Sequence, residues 1–317
     1  MSDQRVRAQE RRWREGRDPE EEARWLRERL RAGELDLRRL TAASLLGHPP
    51  ARMVVGPPPD LAAAARARLG GGGLVVELAP DPPAVALVRL VGWSGDARRL
   101  GEALDAVLAL DPWSVVLEVE DGEAFRASSG FLSAIARSGY ELSRGGAGEL
   151  LLVDVPGPLA TLIGMVGLNA YLDLEPTRNS ALARARARAW SLTLEPLEPG
   201  AGVRLGVAAL RAALPGWRER APHDPRLERA LRAAEAWLRE PAPEAAQAAV
   251  TACLDLLELW QAGGQGPDPA LDWALWLGHH PALAAGPRRA GEVEPRPRLF
   301  EPEAAAVRAE VLEWLLG

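Results

Sequence analysis

The chain has 317 residues, of which 47% are hydrophobic and 26% charged, so it is long enough for two domains and has a globular rather than a disordered composition. Its formal net charge of -6 gives no electrostatic reason to expect a protein that binds nucleic acid. The single cysteine, Cys253, excludes an internal disulfide, and no apolar run is long enough to span a bilayer.

The first 70 residues carry a helical pattern. Three helices are predicted there, at 18–35, 36–47 and 60–69. Asp18 and Asp36 each stand where an N-cap is expected, and Gly33 lies near the predicted end of the first helix. The first 18 residues are too charged for a signal peptide, and the absence of lysine is typical of a GC-rich bacterial genome. We therefore expect a cytoplasmic bacterial protein.

From residue 73 the pattern changes to short valine-rich runs separated by single amphipathic helices. Strands are predicted at 73–80, 84–93, 113–120, 149–155 and 170–176. Helices are predicted at 96–110, 129–144 and 157–168. This alternation predicts a mixed β-sheet with helices packed on it.

Beyond residue 177 the pattern is helical to the end of the chain. Residues 198–317 contain four strong amphipathic runs, most of them with Pro or Asp near the start. The stretch LLGHPPA at 45–51 echoes WLGHHPA at 276–282, which is compatible with 1–70 and 198–317 forming one discontinuous helical domain. The predicted fold class is therefore α+β, with an α/β domain at 73–190 and a separate α-helical part.

The third strand-to-helix junction reads EAFRASSGFLSAI at 123–135. Phe125, the serine pair Ser128 and Ser129, and Gly130, together with the order of strands and helices, resemble the STAS domain of sulfate transporters and anti-sigma factor antagonists. The resemblance covers roughly residues 73–190. It departs from the family pattern at Ala127, where the family carries Asp, and at Arg126, where it carries an apolar residue.

In antagonists of that family a partner kinase phosphorylates the first serine, and the resemblance assigns this position to Ser128. A phosphate at a helix N-terminus would meet free N–H groups and the positive end of the helix dipole. Serine is also a preferred N-cap, so Ser128 has a simpler structural interpretation, which Ala127 favours. The side chains that we expect to contact a partner are Arg126, Ser128, Ser129, Ser133, Arg137 and Tyr140.

Other candidate sites have simpler explanations. The histidines His48, His223, His279 and His280 lack the spacing of a metal site and are interpreted as residues at helix ends. Glu118, Glu120, Asp121 and Glu123 are interpreted as a solvated acidic loop rather than acid/base groups. The run ARARARAW at 183–190 is interpreted as a solvated helix, without aromatic residues interleaved for base stacking. No cofactor is predicted.

The sequence therefore predicts a non-enzymatic regulatory or scaffold protein that acts by protein binding. Its partner would be a kinase, an anti-sigma-like factor, a scaffold component or a second copy of the chain. An alternative is a helical immunity-type protein that neutralises a specific partner and carries the STAS-like part as a structural insert. A third hypothesis, an enzyme with a pocket near the acidic loop, lacks a recognisable nucleophile, base or metal cluster.

Overall fold

A computed structural model describes residues 6–7, 10, 18–56, 74–78, 85–90, 96–109, 112, 114–119, 128–144, 148–198, 200–257, 259, 269–280, 282–283, 297–300 and 303–316. The chain forms two compact units. Met1–Gly56 and Trp190–Gly317 belong to the first, which we call the helical unit, and Pro57–Ala189 to the second, the sheet unit. The predicted helix at 60–69 lies outside the described residues.

The described residues contain helices and strands in the following order: α1 Pro19–Ala32, α2 Leu37–Leu45, α3 Pro49–Val55, β1 Leu74–Leu78, β2 Val85–Leu90, α4 Ala97–Leu108, β3 Ser114–Val119, α5 Ser129–Arg144, β4 Glu149–Val153, α6 Gly157–Met165, β5 Asp173–Glu175, α7 Arg178–Leu194, α8 Ala201–Arg220, α9 Arg226–Arg239, α10 Pro243–Leu254, α11 Pro269–Gly278 and α12 Glu303–Leu316. The fold mixes helices with a β-sheet, which confirms the coarse part of the predicted α+β class. Helix α6 is shorter than predicted, and a single 3-10 turn, Leu168–Ala170, follows it. Helix α3 was not predicted.

The five strands form one sheet in the order β1-β2-β3-β4-β5. Strand β1 pairs antiparallel with β2, and each later strand pairs in parallel with the one before it. Parallel neighbours need crossover connections, which α4, α5 and α6 with its following turn provide. The predicted mixed sheet is therefore confirmed.

Alternate residues of the strands contribute to two separate cores. Val88, Leu117 and Leu152 point to the face on which α4, α5 and α6 pack. Val116 and Leu151 point to the opposite face, where Ala181 and Ala185 of α7 cover them. Burial of the strands on both faces explains why they read as nearly continuous apolar runs.

In the helical unit, α8 packs against α9, α11 and α12, and α12 also packs against α2. The helices α8 and α11 approach closely because Gly206 lacks a side chain, and a Cβ atom there would lie 2.6 Å from Cδ2 of Leu277. A guanidinium hydrogen bond from Arg29 to the carbonyl of Leu316 joins the two ends of the chain. Residues from both ends thus share one core.

The predicted caps of the first two helices are confirmed. The Asp18 carboxylate accepts a hydrogen bond from the backbone N–H of Glu20 at 3.0 Å, and Asp36 accepts one from Arg38 at 2.8 Å. Gly33 ends α1 in the left-handed conformation, with φ of 75°, which glycine adopts without strain.

Candidate protein-binding surface

Ser128 immediately precedes α5 and is solvent-exposed. Its Oγ accepts a hydrogen bond from the backbone N–H of Phe131 at 3.1 Å, which is the geometry of an N-cap. The Phe131 side chain is buried in the core under α5, so the cap fixes the point where the helix enters that core. The helix-cap interpretation of Ser128 is confirmed, and its phosphorylation stays a prediction.

The first turn of α5 lies directly against the first turn of α4. A Cβ atom on Gly130 would lie 2.7 Å from Cβ of Ala97, so this glycine is required by close packing. Asp96 caps α4 through hydrogen bonds from the backbone N–H groups of Arg98 and Arg99. A negative group added at Ser128 would therefore stand close to a helix start that carries both an acidic cap and two exposed arginines.

Four of the predicted contact residues form a stripe along α5. Ser129, Ser133, Arg137 and Tyr140 are all exposed, as their spacing on a helix requires. Nη2 of Arg137 donates to both carboxylate oxygens of Asp105 on α4, at 2.6 and 2.8 Å. Arg126, the remaining predicted contact residue, lies outside the described residues together with Phe125 and Ala127.

Exposed apolar side chains lie at the far end of this stripe, at Tyr140, and in the segment that runs from the end of α6 to Tyr171. Tyr140 contacts Tyr171 edge to face, with ring centroids 5.8 Å apart. Met165 and Val166, at the end of α6, are also exposed, and only the 3-10 turn separates them from Tyr171 along the chain. We call these four residues, Tyr140, Met165, Val166 and Tyr171, the apolar surface. Exposed apolar patches of this kind are typical of interaction sites.

Close backbone packing holds the apolar surface in place. Gly139 of α5 lies directly beneath the carbonyl of Tyr171, where any side chain would collide with the backbone. Leu168, within the 3-10 turn, packs against the core under α5 and α6.

Sequence reasoning identified Tyr140 but missed Met165, Val166 and Tyr171, because their exposure depends on where the crossover from α6 to β5 turns. The only local signal was the apolar stretch MVGLNAYL itself.

The run at 183–190 is not a solvated helix, contrary to the prediction. The side chain of Arg184, on the buried face of α7, binds three carboxylates at the edge of the sheet. They belong to Glu149, Asp173 and Glu175. Burial opposes its charge, but these carboxylates outweigh that effect and raise the pKa of Arg184 above its usual range. The arginine was misinterpreted because its partners lie on other elements, 9 to 35 residues away along the chain, beyond what a helical pattern can show.

Glu118 is likewise not part of a solvated loop. Its carboxylate lies 3.1 Å from Nε of Arg89 on β2 and 3.9 Å from Arg178 on α7, and the side chain is largely buried. The other three residues of the predicted acidic cluster, Glu120, Asp121 and Glu123, lie outside the described residues. Glu118 therefore stabilises the contact between sheet and helix.

The histidines lie at helix ends, as predicted. Nδ1 of His48 accepts the backbone N–H of Ala51 at the start of α3, and Nε2 lies 3.2 Å from Glu22. His280 follows α11, and its Nδ1 accepts the N–H of Ala282. Among the described residues, no group of His, Cys, Asp or Glu side chains has the arrangement of a metal site.

Cys253 lies fully buried in α10. Burial alone raises the pKa of its thiol to about 12, because a thiolate would be desolvated there. The thiol is therefore protonated and unreactive at neutral pH.

Comparisons with known proteins give no relative. No protein-family model matches the chain, and neither do any curated proteins or solved structures. Among the described residues, no helix has both the length and the apolar character that crossing a membrane requires.

Proposed function

We propose that the chain is a non-enzymatic regulatory or scaffold protein that binds another protein through the sheet unit. The contact region would comprise the exposed stripe of α5 and the adjoining apolar surface. The observation that carries this proposal is the clustering of exposed apolar side chains. Of the seven large hydrophobic residues exposed in the described chain, five lie between residues 140 and 174. A protein interface combines such apolar anchors with a polar rim.

The STAS resemblance is a second, independent support. Strands and helices over 74–175 follow one another in the order on which the resemblance rests, and Ser128 stands at the start of α5. We therefore also propose that binding is regulated at the start of α5, as it is in the STAS family. The partner would then be a kinase, an anti-sigma-like factor, a scaffold component or a second copy of this chain.

A pair of matched variants tests the interface. Met165 is 80% exposed and Met53, in the helical unit, 48% exposed, so glutamate at either position leaves the cores intact. Affinity capture from the native host, followed by mass spectrometry, compares the unaltered chain with Met165→Glu and Met53→Glu. We expect the partner to be lost with Met165→Glu and retained with Met53→Glu, because a charge in an interface core must be desolvated.

The same pair tests self-association by sedimentation at several protein concentrations. A dimer that dissociates in Met165→Glu alone would identify the partner as a second copy. A partner or dimer that survives Met165→Glu would contradict the proposed interface.

Regulation at Ser128 has its own test. If phosphate switches binding, Ser128→Asp should abolish capture of the partner. Ser129→Asp is the control, because Ser129 is the next residue and is also exposed, and it should reduce the captured amount less. Mass spectrometry of native material should then find phosphate on Ser128. Unchanged binding of Ser128→Asp, with no phosphate at that position, would remove the switch and leave the interface proposal standing.

A further inference from the structure

The helical unit contains a groove of about 330 Å³ between α8, α9 and α12. Its apolar lining consists of Val207, Leu238, Val311 and Trp314, of which the last is partly exposed. Charged side chains line its edge, namely Arg204, Arg211, Arg239, Glu235 and Glu310. An apolar floor with a few polar groups is the usual construction of a small-molecule site, and the volume is at the small end of that class.

The two carboxylates of the groove, those of Glu235 and Glu310, share one guanidinium partner. Arg211 donates to Glu235 at 2.6 Å and also to Glu310. The hydrogen bond to Glu235, with that to Glu310, raises the pKa of Arg211 above its usual value. The lining has three arginines and two glutamates, and Arg39 and Glu198, which adjoin Arg204, add one charge of each sign, so the groove is positive by one charge in a chain whose net charge is -6. An anion is therefore favoured there over a cation.

Trp314 is held in position by two arginines, Arg204 of the groove lining and Arg39 outside it. The guanidinium groups of Arg39 and Arg204 each lie 5.3 Å from the centroid of its ring. Glu198 binds both arginines, at 3.2 Å from Arg39 and 3.3 Å from Arg204. These contacts fix the aromatic surface before any ligand arrives, which lowers the entropic cost of binding.

Two lining residues carry hydrogen-bond donors without a partner in the part of the chain that the structure describes. Arg239 is exposed at the end of α9 and makes no ion pair or hydrogen bond there. The indole N–H of Trp314 donates no hydrogen bond there either. A guanidinium that is free to form a bidentate contact suits a carboxylate.

From these contacts we infer that the groove binds a small carboxylate that carries an apolar body. The carboxylate pairs with Arg239, and the apolar body lies on Leu238 and Trp314. This site is in the helical unit and is independent of the protein-binding surface proposed for the sheet unit.

Calorimetric titration of the full chain with sodium decanoate and with 3-phenylpropionate tests the site, and decyltrimethylammonium serves as the cationic probe. We expect one site per chain for at least one of the anions, with a Kd on the order of 0.1 mM for ligands of this size, and no saturable binding of the cation. Arg239→Gln should weaken binding by about tenfold, since it removes the charge-assisted contact.

Arg232→Gln is the matched control, because Arg232 is exposed on the same helix but lies outside the groove. We expect it to change the Kd by less than about twofold. Equal binding of the cation, or equal weakening by both arginine variants, would overturn the proposal. Absence of saturable binding by both anions would also overturn it.

Discussion

The two faces of the sheet are built by different physical means. On the face under α4, α5 and α6 the core is a large cluster of apolar side chains, beside which α5 also buries the hydroxyl of Ser138. On the face under α7 the apolar contacts are fewer, and ion pairs flank them, Arg89 with Glu118 and Arg184 with its three carboxylates. Apolar contacts are non-directional, whereas a buried charge depends on its particular partners. We therefore expect the face under α7 to be the less tolerant of single substitutions.

Arg184→Ala should have the largest effect. It leaves Glu149, Asp173 and Glu175 without their shared cation, and removal of one side of a buried pair typically costs about 3–5 kcal/mol. Hydrogen exchange of β4 peptides, read by mass spectrometry, would measure the loss in opening free energy. Arg144→Ala, at the exposed end of α5, is the control. A loss below about 1 kcal/mol for Arg184→Ala would mean that α7 is held by its alanines alone.

A variant without any of the four charges of the Arg184 cluster separates the effect of charge balance from that of the individual hydrogen bonds. Arg184→Met combined with Glu149→Gln, Asp173→Asn and Glu175→Gln removes every charge at once. It should recover part of the stability lost in the single variant, because no unpaired charge is left buried. A combined variant that is less stable than Arg184→Ala would show that the individual hydrogen bonds, rather than charge balance, hold this face.

Leu152→Ala tests the apolar face, where we expect a smaller loss of about 3 kcal/mol from lost burial and the cavity that remains. Leu152→Met, which nearly conserves volume, should cost less than about 1.5 kcal/mol. The same hydrogen-exchange measurement compares both with the Arg184 variants. If Leu152→Met were as damaging as Arg184→Ala, the proposed difference in tolerance between the faces would be wrong.

Ser128→Ala should cost about 1 kcal/mol, since it removes only the hydrogen bond to the N–H of Phe131. Exchange of the first-turn amides of α5 should accelerate, and Ser128→Asp should restore their protection because aspartate also caps helices. Unchanged exchange in Ser128→Ala would show that the contact of Gly130 with Ala97, rather than the cap, fixes the start of α5.

Arg137→Ala should have the smallest effect, at most about 0.5 kcal/mol. One nitrogen of its guanidinium contacts both oxygens of Asp105, but both side chains are 54% exposed and water screens the pair. The effect should vanish in 1 M salt. A larger loss of stability, independent of salt, would show that Arg137 contributes packing rather than charge.

The sequence by itself determined the order of strands and helices in the described part of the sheet unit and the caps of α1, α2 and α5. Valine-rich runs marked the strands, the spacing of apolar residues marked α4 and α5, and Asp18, Asp36 and Ser128 stood where the orphan N–H groups of a helix start need an acceptor. These signals are local, because each depends on residues within one or two turns. The exposed stripe on α5 followed from the same helical period.

Only the tertiary structure decided which charges are buried and which apolar residues are exposed. Arg184 and Glu149 are 35 residues apart in sequence, and Arg29 contacts Leu316 across 287 residues, so no local pattern could pair them. Met165 and Tyr171 lie in one apolar stretch of sequence and are exposed because of the turn between them. Arg239 and Trp314 line one groove only because α9 and α12 both pack on α8. Burial depends on which elements meet, which local periodicity does not specify.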